Sequence, residues 1–153
     1  MGLTDYSKTA IARWMLFRGH SFLKSAMLLK RHGESIDAVL YNICLGVELV
    51  LKSFLLFKDY DKYKPLLPRN GVFGHNLVKL TNEVMCAYKV KPITSDLRDE
   101  LETLNKYYIN HYLRYAGIHD IIFSSSNVEY HLVCMKILAA IKLADRKLWA
   151  SEI

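Results

Sequence analysis

Residues 36–57 read IDAVLYNICLGVELVLKSFLLF, the most apolar stretch of the chain. Its apolar residues recur every three or four positions, as they do on the buried face of an α-helix. They are Ile36, Val39, Leu40, Ile43, Val47, Val50, Leu51 and Phe54. The same stretch carries Asn42, Glu48 and Lys52, and two charges near the centre of a bilayer are costly. We therefore expect the central helix of a helical bundle and no membrane span.

Four further stretches show the same helical period. They run from about Asp5 to Arg31, from His75 to Tyr88, from Thr94 towards Gly117, and from Val128 to Trp149. The stretch from Asp5 should bury Ile11, Met15, Phe22, Ala26 and Leu29. The stretch from Thr94 should bury Leu97, Leu101, Leu104, Tyr108 and His111. Gly33 should end the first helix, and Glu34 or Ser35 should open the second.

Two segments interrupt the helical pattern. Residues 58–74 are rich in charge, Pro and Gly, and residues 114–127 contain Gly117 and three consecutive serines, so both are predicted to be irregular. Period-two alternation is confined to a short run at residues 118–123. The pattern predicts an all-α, up-and-down bundle of about five helices in a single domain, residues 1–153.

The composition is that of a globular protein, with 52% hydrophobic and 24% charged residues. The formal net charge of +6 favours an anionic partner such as RNA, although many soluble proteins carry a similar excess. Cys44, Cys86 and Cys134 are odd in number and lie among apolar residues, so we expect buried thiols. Charged residues interrupt any apolar start of the chain, which argues against a secretory signal and for a cytoplasmic protein.

The usual enzyme signatures are missing. The sequence has no Walker loop, no G-x-G-x-x-G, no H-E-x-x-H, no C-x-x-C and no G-x-S-x-G. We therefore expect no metal site and no cofactor.

Three polar motifs remain within the helical pattern. The second helix contains Glu48-Leu-Val-Leu-Lys52, a later segment reads Gly74-His75-Asn76-Leu77-Val-Lys-Leu80, and the fourth helix continues into Tyr108-Ile-Asn-His-Tyr-Leu-Arg114-Tyr115-Ala-Gly117. Over residues 8–148 this order resembles the HEPN superfamily, the higher-eukaryote and prokaryote nucleotide-binding domains. Members often show A-x-E-L-x-L-K, then H-D-L-x-x-L, then an Arg before the last helix. Asn76 stands where Asp is common.

The resemblance implies a fold and a function. HEPN domains are helical bundles that usually dimerise, and many are metal-independent ribonucleases of toxin–antitoxin or antiphage systems. Their catalytic signature is R-x4-6-H near the start of the final helix, and Arg114 with His119 fits it. We therefore expect a homodimer that binds RNA or a nucleotide and has an antitoxin-like protein partner.

The chemistry accounts for these residue types. Metal-free RNA cleavage needs a base for the 2′-OH, an acid for the leaving oxygen and a cation beside the phosphate, which His and Arg supply. Spacing alone does not select the pair, because Arg13 with His20 and Arg69 with His75 also fit. Only the position before the last helix favours Arg114 and His119.

Each candidate residue also has a structural explanation. Arg114 can pair with a helix carboxylate, for which Glu48 is the candidate, and His119 can be a surface loop residue. Glu48 and Lys52 are four apart, so they form either a local ion pair or part of a binding notch. His75 is either a cap or a ligand. Tyr115 belongs to a group of tyrosines interleaved with Lys and Arg, which suits base stacking, core packing or a dimer seam.

Three functions follow from these alternatives. The first is a HEPN-like, RNA-directed protein, catalytic if Arg114 and His119 form a metal-independent endoribonuclease site. The second is a non-catalytic HEPN-like dimer that serves as a binding or interaction module. The third is a plain helical interaction domain. Catalysis requires Arg114 and His119 to be exposed in a common cleft, whereas a structural Arg114 would be buried against a carboxylate.

Overall fold

The computed structural model describes residues 2–114 and 127–150, with side chains to residue 147. These residues form six helices and no strand, which confirms the predicted all-α fold. The helices are α1 (Asp5–Arg31), α2 (Ile36–Lys58), α3 (Tyr60–Tyr63), α4 (Leu77–Tyr88), α5 (Ser95–Ile109) and α6 (His131–Ala150). The single turn of α3 was not predicted; the Asp59 side chain caps it by accepting a hydrogen bond from the Lys62 N–H.

The termini of α1 follow the sequence signals. The Thr4 hydroxyl accepts a hydrogen bond from the Ser7 N–H and so caps the N-terminus. At the other end Gly33 has a φ of +70°, and the Glu34 N–H bonds back to the Leu29 carbonyl. Gly33 therefore ends the helix as predicted, in the left-handed conformation that glycine adopts without strain.

The face that α1 buries shares only Ala26 with the predicted one. The buried residues are Ala12, Leu16, Gly19, Leu23 and Ala26, whereas Ile11, Met15, Phe22 and Leu29 of the predicted stripe are only partly buried. The cause is a close approach to α2, because a Cβ on Gly19 would lie 2.9 Å from the Gly46 carbonyl oxygen. Small side chains occupy such a contact, so the most hydrophobic stripe is not the most buried one.

Helix α2 is the centre of the bundle. It contacts every other described helix, and its buried residues include Leu40, Ile43 and Leu55. Helix α2 is long and apolar enough to cross a membrane, but 72% of its most apolar window is buried within the protein. Burial of this kind is typical of a core helix, as the sequence predicts.

The cysteine prediction is correct at two of three positions. Cys44 and Cys134 are buried, and burial raises the pKa of both thiols, that of Cys134 to about 12. Cys86 is exposed, contrary to expectation. Its helix, α4, buries only Leu77 and Leu80, so Cys86 faces solvent.

Helix α5 ends earlier than predicted. It stops at Ile109, and His111 has a φ of +60° and lies exposed in the following turn. The Tyr112 N–H bonds to the Tyr107 carbonyl and the His111 N–H to the Tyr108 carbonyl, which closes the helix. His111 is therefore not part of the inner stripe. Residues 115–126, which include the period-two run, lie outside the described residues.

Candidate functional site

A buried carboxylate joins three parts of the chain. Glu48 lies on α2 and is only 3% exposed. Its Oε1 is 2.6 Å from the Lys52 Nζ, and its Oε2 accepts hydrogen bonds from the Tyr108 hydroxyl at 2.5 Å and from the His75 Nδ1–H at 3.0 Å. We call Glu48, Lys52, His75 and Tyr108 the Glu48 cluster. It connects α2, the start of α4 and the end of α5.

The electrostatics of the cluster keep the carboxylate ionised. Burial by itself raises the pKa of Glu48, but the Lys52 ammonium and the hydrogen bonds from Tyr108 and His75 outweigh it, so the pKa is lowered. The pKa of Tyr108 is raised, first by burial and then by the Glu48 charge. Tyr108 therefore keeps its proton and donates it in the hydrogen bond.

His75 is the member of the cluster that reaches solvent. Its side chain is 46% exposed, and its ring meets that of Tyr108 edge-on, with 5.9 Å between the ring centroids. An ionised carboxylate can only accept hydrogen bonds, so Nδ1 carries the proton. In the neutral ring Nε2 is then an acceptor, and it makes no hydrogen bond to a described residue.

The start of α4 fixes the position of His75. The Asn76 side chain accepts a hydrogen bond from the Lys79 N–H, and the Asn105 side chain of α5 accepts one from the Leu77 N–H at 2.7 Å. Asn caps a helix about as well as Asp, so Asn76 performs locally what Asp would at this position. Gly74 precedes His75 with a φ of +50°, and a Cβ there would lie 3.1 Å from the Asn70 Cα. His75 is thus not the cap of α4.

Arg114 is not the partner of Glu48. Its side chain is exposed, and its guanidinium carbon lies 5.0 Å from the centroid of the Tyr41 ring. The structural explanation that pairs Arg114 with Glu48 is therefore wrong. Both carboxylate oxygens are already bonded within the Glu48 cluster, and the turn after α5 carries Arg114 to the surface.

Aromatic contacts connect Arg114 to the Glu48 cluster. The ring of Tyr41 lies 6.1 Å from the ring of Tyr108, and Tyr108 contacts His75. The exposed Arg114 and the partly exposed His75 are therefore joined through two tyrosine rings. We call Tyr41, Tyr108, His75 and Arg114 the Arg114–His75 chain.

The structure brings together some of the predicted site residues and leaves others untested. Glu48, Lys52 and His75 meet in one cluster. His119 and Tyr115 lie outside the described residues, so the arrangement of the R-x4-6-H pair stays a prediction.

Sequence reasoning missed the part that Tyr108 plays, since it placed this residue in the apolar stripe of α5 and among the tyrosines interleaved with Lys and Arg, but not beside Glu48. A usable signal existed, because a buried tyrosine hydroxyl needs a hydrogen-bond partner and a buried carboxylate needs donors.

Metal binding finds no support in the described part of the chain, where no group of three or more His, Cys, Asp or Glu side chains could hold an ion. In comparisons with known proteins, the chain matches no family model, no curated protein and no solved structure at a significant level.

Proposed function

We propose that this chain is a HEPN-like, RNA-directed module that contacts an RNA phosphate through Arg114. The observation that carries the proposal is the position of Arg114, exposed and held over Tyr41 instead of neutralised by Glu48. A guanidinium held by an aromatic face keeps its N–H donors for a ligand, and its planar fork matches two phosphate oxygens.

The surroundings of Arg114 support the same proposal. Arg114 forms no ion pair with a carboxylate of the described residues. His75 lies at the other end of the Arg114–His75 chain, and its Nε2 would give the RNA a second polar contact. The net charge of +6 would strengthen the attraction of a polyanion.

In its finer form the proposal is a metal-independent endoribonuclease of toxin–antitoxin or antiphage type, acting in the cytoplasm. His119 would take the proton of the 2′-OH as this oxygen attacks phosphorus. The bond to the 5′-oxygen breaks, that oxygen receives the proton that His119 has taken, and a 2′,3′-cyclic phosphate remains. Arg114 would stabilise the charge on the phosphate oxygens.

Fluorescence anisotropy with a labelled single-stranded RNA tests the proposal. Arg114→Ala should weaken binding about three- to tenfold, in the range of one or two lost phosphate contacts. Arg114→Lys should restore part of the loss, and Arg18→Ala removes an exposed charge from α1 as a matched control. Equal affinities for the Arg114→Ala and Arg18→Ala variants would reject Arg114 as the contact.

Cleavage is measured on the same RNA with EDTA present. Catalysis predicts cyclic-phosphate products from the wild type and none from Arg114→Ala or His119→Ala. RNA binding without products supports the non-catalytic form of the proposal.

A second candidate role, the non-catalytic dimer, is favoured by an aromatic pair on α1. Trp14 and Phe17 stack with 5.5 Å between their ring centroids, yet they are 63% and 60% exposed. Aromatic side chains are enriched where protein surfaces meet. We propose that a second copy of the chain covers this pair, and sedimentation at micromolar concentration tests it.

A further inference from the structure

An open apolar groove of about 710 Å³ lies between α2, α4, α5 and α6. No member of the Glu48 cluster lines it, so it is separate from the site proposed for RNA. Its walls are mostly aliphatic and aromatic, as in Leu51, Phe54, Val84, Leu97, Ile137 and Ala140. The volume falls within the range of about 300–1,000 Å³ that is usual for small-molecule sites.

The backbone explains why the groove is open. Helix α4 ends at Tyr88, and Lys89 adopts a left-handed conformation with a φ of +52°, so residues 90–94 turn along one side of the groove. On the other side α6 contributes Ala139, Ala140 and Ala144. These short side chains leave space between α6 and α4.

The apolar surface continues to the rim. Val90 and Leu143 line the groove and are both more than half exposed. Large exposed apolar side chains gathered around a concave surface are typical of a binding site.

Among the described residues, the charged side chains that line the groove are all lysines: Lys91, Lys136 and Lys147. All three are exposed, and none forms an ion pair with a described residue. Glu100 precedes the lining residue Leu101, but it does not line the groove. Its Oε1 accepts a hydrogen bond from the Val133 N–H at 2.7 Å.

The neutral polar groups of the lining are already bonded within the protein. The Tyr88 hydroxyl donates to the Phe54 carbonyl, and the Thr81 hydroxyl donates to the Leu77 carbonyl. The Thr94 hydroxyl accepts a hydrogen bond from the Leu97 N–H. The lysine ammonium groups are therefore the main polar partners that the groove offers to a ligand.

We propose that this groove binds an anionic amphiphile with a long alkyl chain, of the fatty-acid class. The alkyl chain lies against the aliphatic walls, and the carboxylate lies at the lysines. Charge complementarity selects this occupant, because the described residues of the lining include three cations and no carboxylate. A polar ligand without an alkyl chain would leave the apolar walls exposed to water.

The first test uses cis-parinaric acid, a fluorescent fatty acid, with the full chain. We expect saturable binding below the micelle concentration of the probe, and displacement by oleate. Ala140→Trp fills the groove and should weaken binding at least tenfold. Met135→Trp adds the same side chain on an exposed face of α6, outside the lining, and should leave binding unchanged. Non-saturable binding, or equal affinity in these two variants, would overturn the proposal.

The second test concerns the charge. Replacing Lys91, Lys136 and Lys147 together by Gln should weaken oleate binding about fivefold or more, since each exposed ion pair contributes little. Lys142→Gln, also on α6 but outside the lining, serves as the control. Oleyl alcohol has the same alkyl chain without the charge, and its binding should not change in the triple variant. If oleyl alcohol competes as well as oleate with the wild type, the ligand is not selected by charge and the proposal fails.

A measurement on the wild type covers the case in which Ala140→Trp does not fold. In a methyl NMR spectrum, oleate should shift the resonances of Leu97, Val84 and Ile137, which line the groove. Leu16, which is buried on α1 and does not line the groove, should not shift. Shifts absent from the groove methyls would reject the site.

Discussion

The Tyr108 hydroxyl donates a hydrogen bond to Glu48 Oε2 at 2.5 Å, between residues 60 positions apart in sequence. This bond ties α5 to the central helix α2 inside the core. The hydroxyl satisfies one lone pair of a carboxylate that would otherwise have fewer donors in a water-poor environment. The bond thus makes an acidic residue tolerable on the most apolar helix.

We expect Tyr108→Phe to lower the free energy of unfolding by about 1–3 kcal/mol, the usual cost of leaving a buried polar group short of a partner. Urea unfolding at pH 7 measures it. Tyr107→Phe is the matched control on the same helix, since Tyr107 is only partly buried and forms no side-chain hydrogen bond with a described residue. Equal losses in the two variants would mean that the bond to Glu48 contributes nothing specific.

The lowered pKa of Glu48 makes stability depend on pH. Burial alone would raise this pKa. The interactions with Lys52, Tyr108 and His75 lower it by more than burial raises it, so it lies below its ordinary value of 4.5. Near pH 4.5 the unfolded state therefore binds more protons than the folded state does. The stabilisation is complete above pH 4.5 and is lost as the pH falls through the folded pKa.

Glu48→Gln should consequently be most destabilising at neutral pH, by about 3 kcal/mol, because Lys52 is left buried without its carboxylate. The difference from the wild type should shrink as the pH falls from 5 to 3. Urea titrations at several pH values measure this trend, with the exposed Glu34→Gln as control. A difference that stays constant down to pH 3 would contradict the lowered pKa.

The helical fold was predictable from sequence because periodicity depends on local spacing. The residues at helix boundaries were also predictable, since Gly33 ends α1 and Thr94 caps the start of α5. The end of α5 was not predicted, because His111 takes a left-handed conformation that is uncommon for residues other than Gly.

The candidate site was predictable only in part. Glu48 and Lys52 are four residues apart on one helix, so their pairing follows from local geometry. His75 and Tyr108 join them through tertiary packing, which periodicity does not encode. The predicted pairing of Arg114 with Glu48 was wrong for the same reason. Opposite charges attract, but tertiary packing decides which charged side chains come close enough to form a pair.

The crossing of α1 and α2 depends on glycine. A Cβ on Gly46 would lie 2.8 Å from the Leu23 Cγ and 2.9 Å from the Gly19 carbonyl oxygen. Ala favours a helix over Gly by about 1 kcal/mol, but the backbone oxygen cannot move away cheaply. We expect Gly46→Ala to lower the melting temperature. Gly71→Ala, whose Cβ meets nothing within 4 Å, should leave it unchanged. A Gly46→Ala variant as stable as the wild type would show that the two helices can move apart freely.

The aromatic pair on α1 gives a test of the proposed dimer. The wild type should sediment at micromolar concentration as twice the 17.7 kDa chain. Phe17→Glu places a charge beside Trp14 and should yield single chains with unchanged helix content, because Phe17 is exposed within one chain. Ser25→Glu adds the same charge at an exposed position of α1 that is not aromatic. A wild type that sediments as a single chain would rule out this dimer.

A stability measurement distinguishes a ligand-binding role of Arg114 from a structural role, because its side chain is exposed. An exposed cation–π contact contributes about 0.5–1 kcal/mol, so Arg114→Ala should cost no more than about that. Lys52→Met, by contrast, leaves the Glu48 carboxylate buried without its cation and should cost about 3–5 kcal/mol. Urea unfolding of both variants at pH 7 gives the comparison. Weakened RNA binding with unchanged stability in Arg114→Ala is the outcome that our proposal requires. A loss of stability as large as that of Lys52→Met would instead make Arg114 a structural residue, and its effect on RNA would then be indirect.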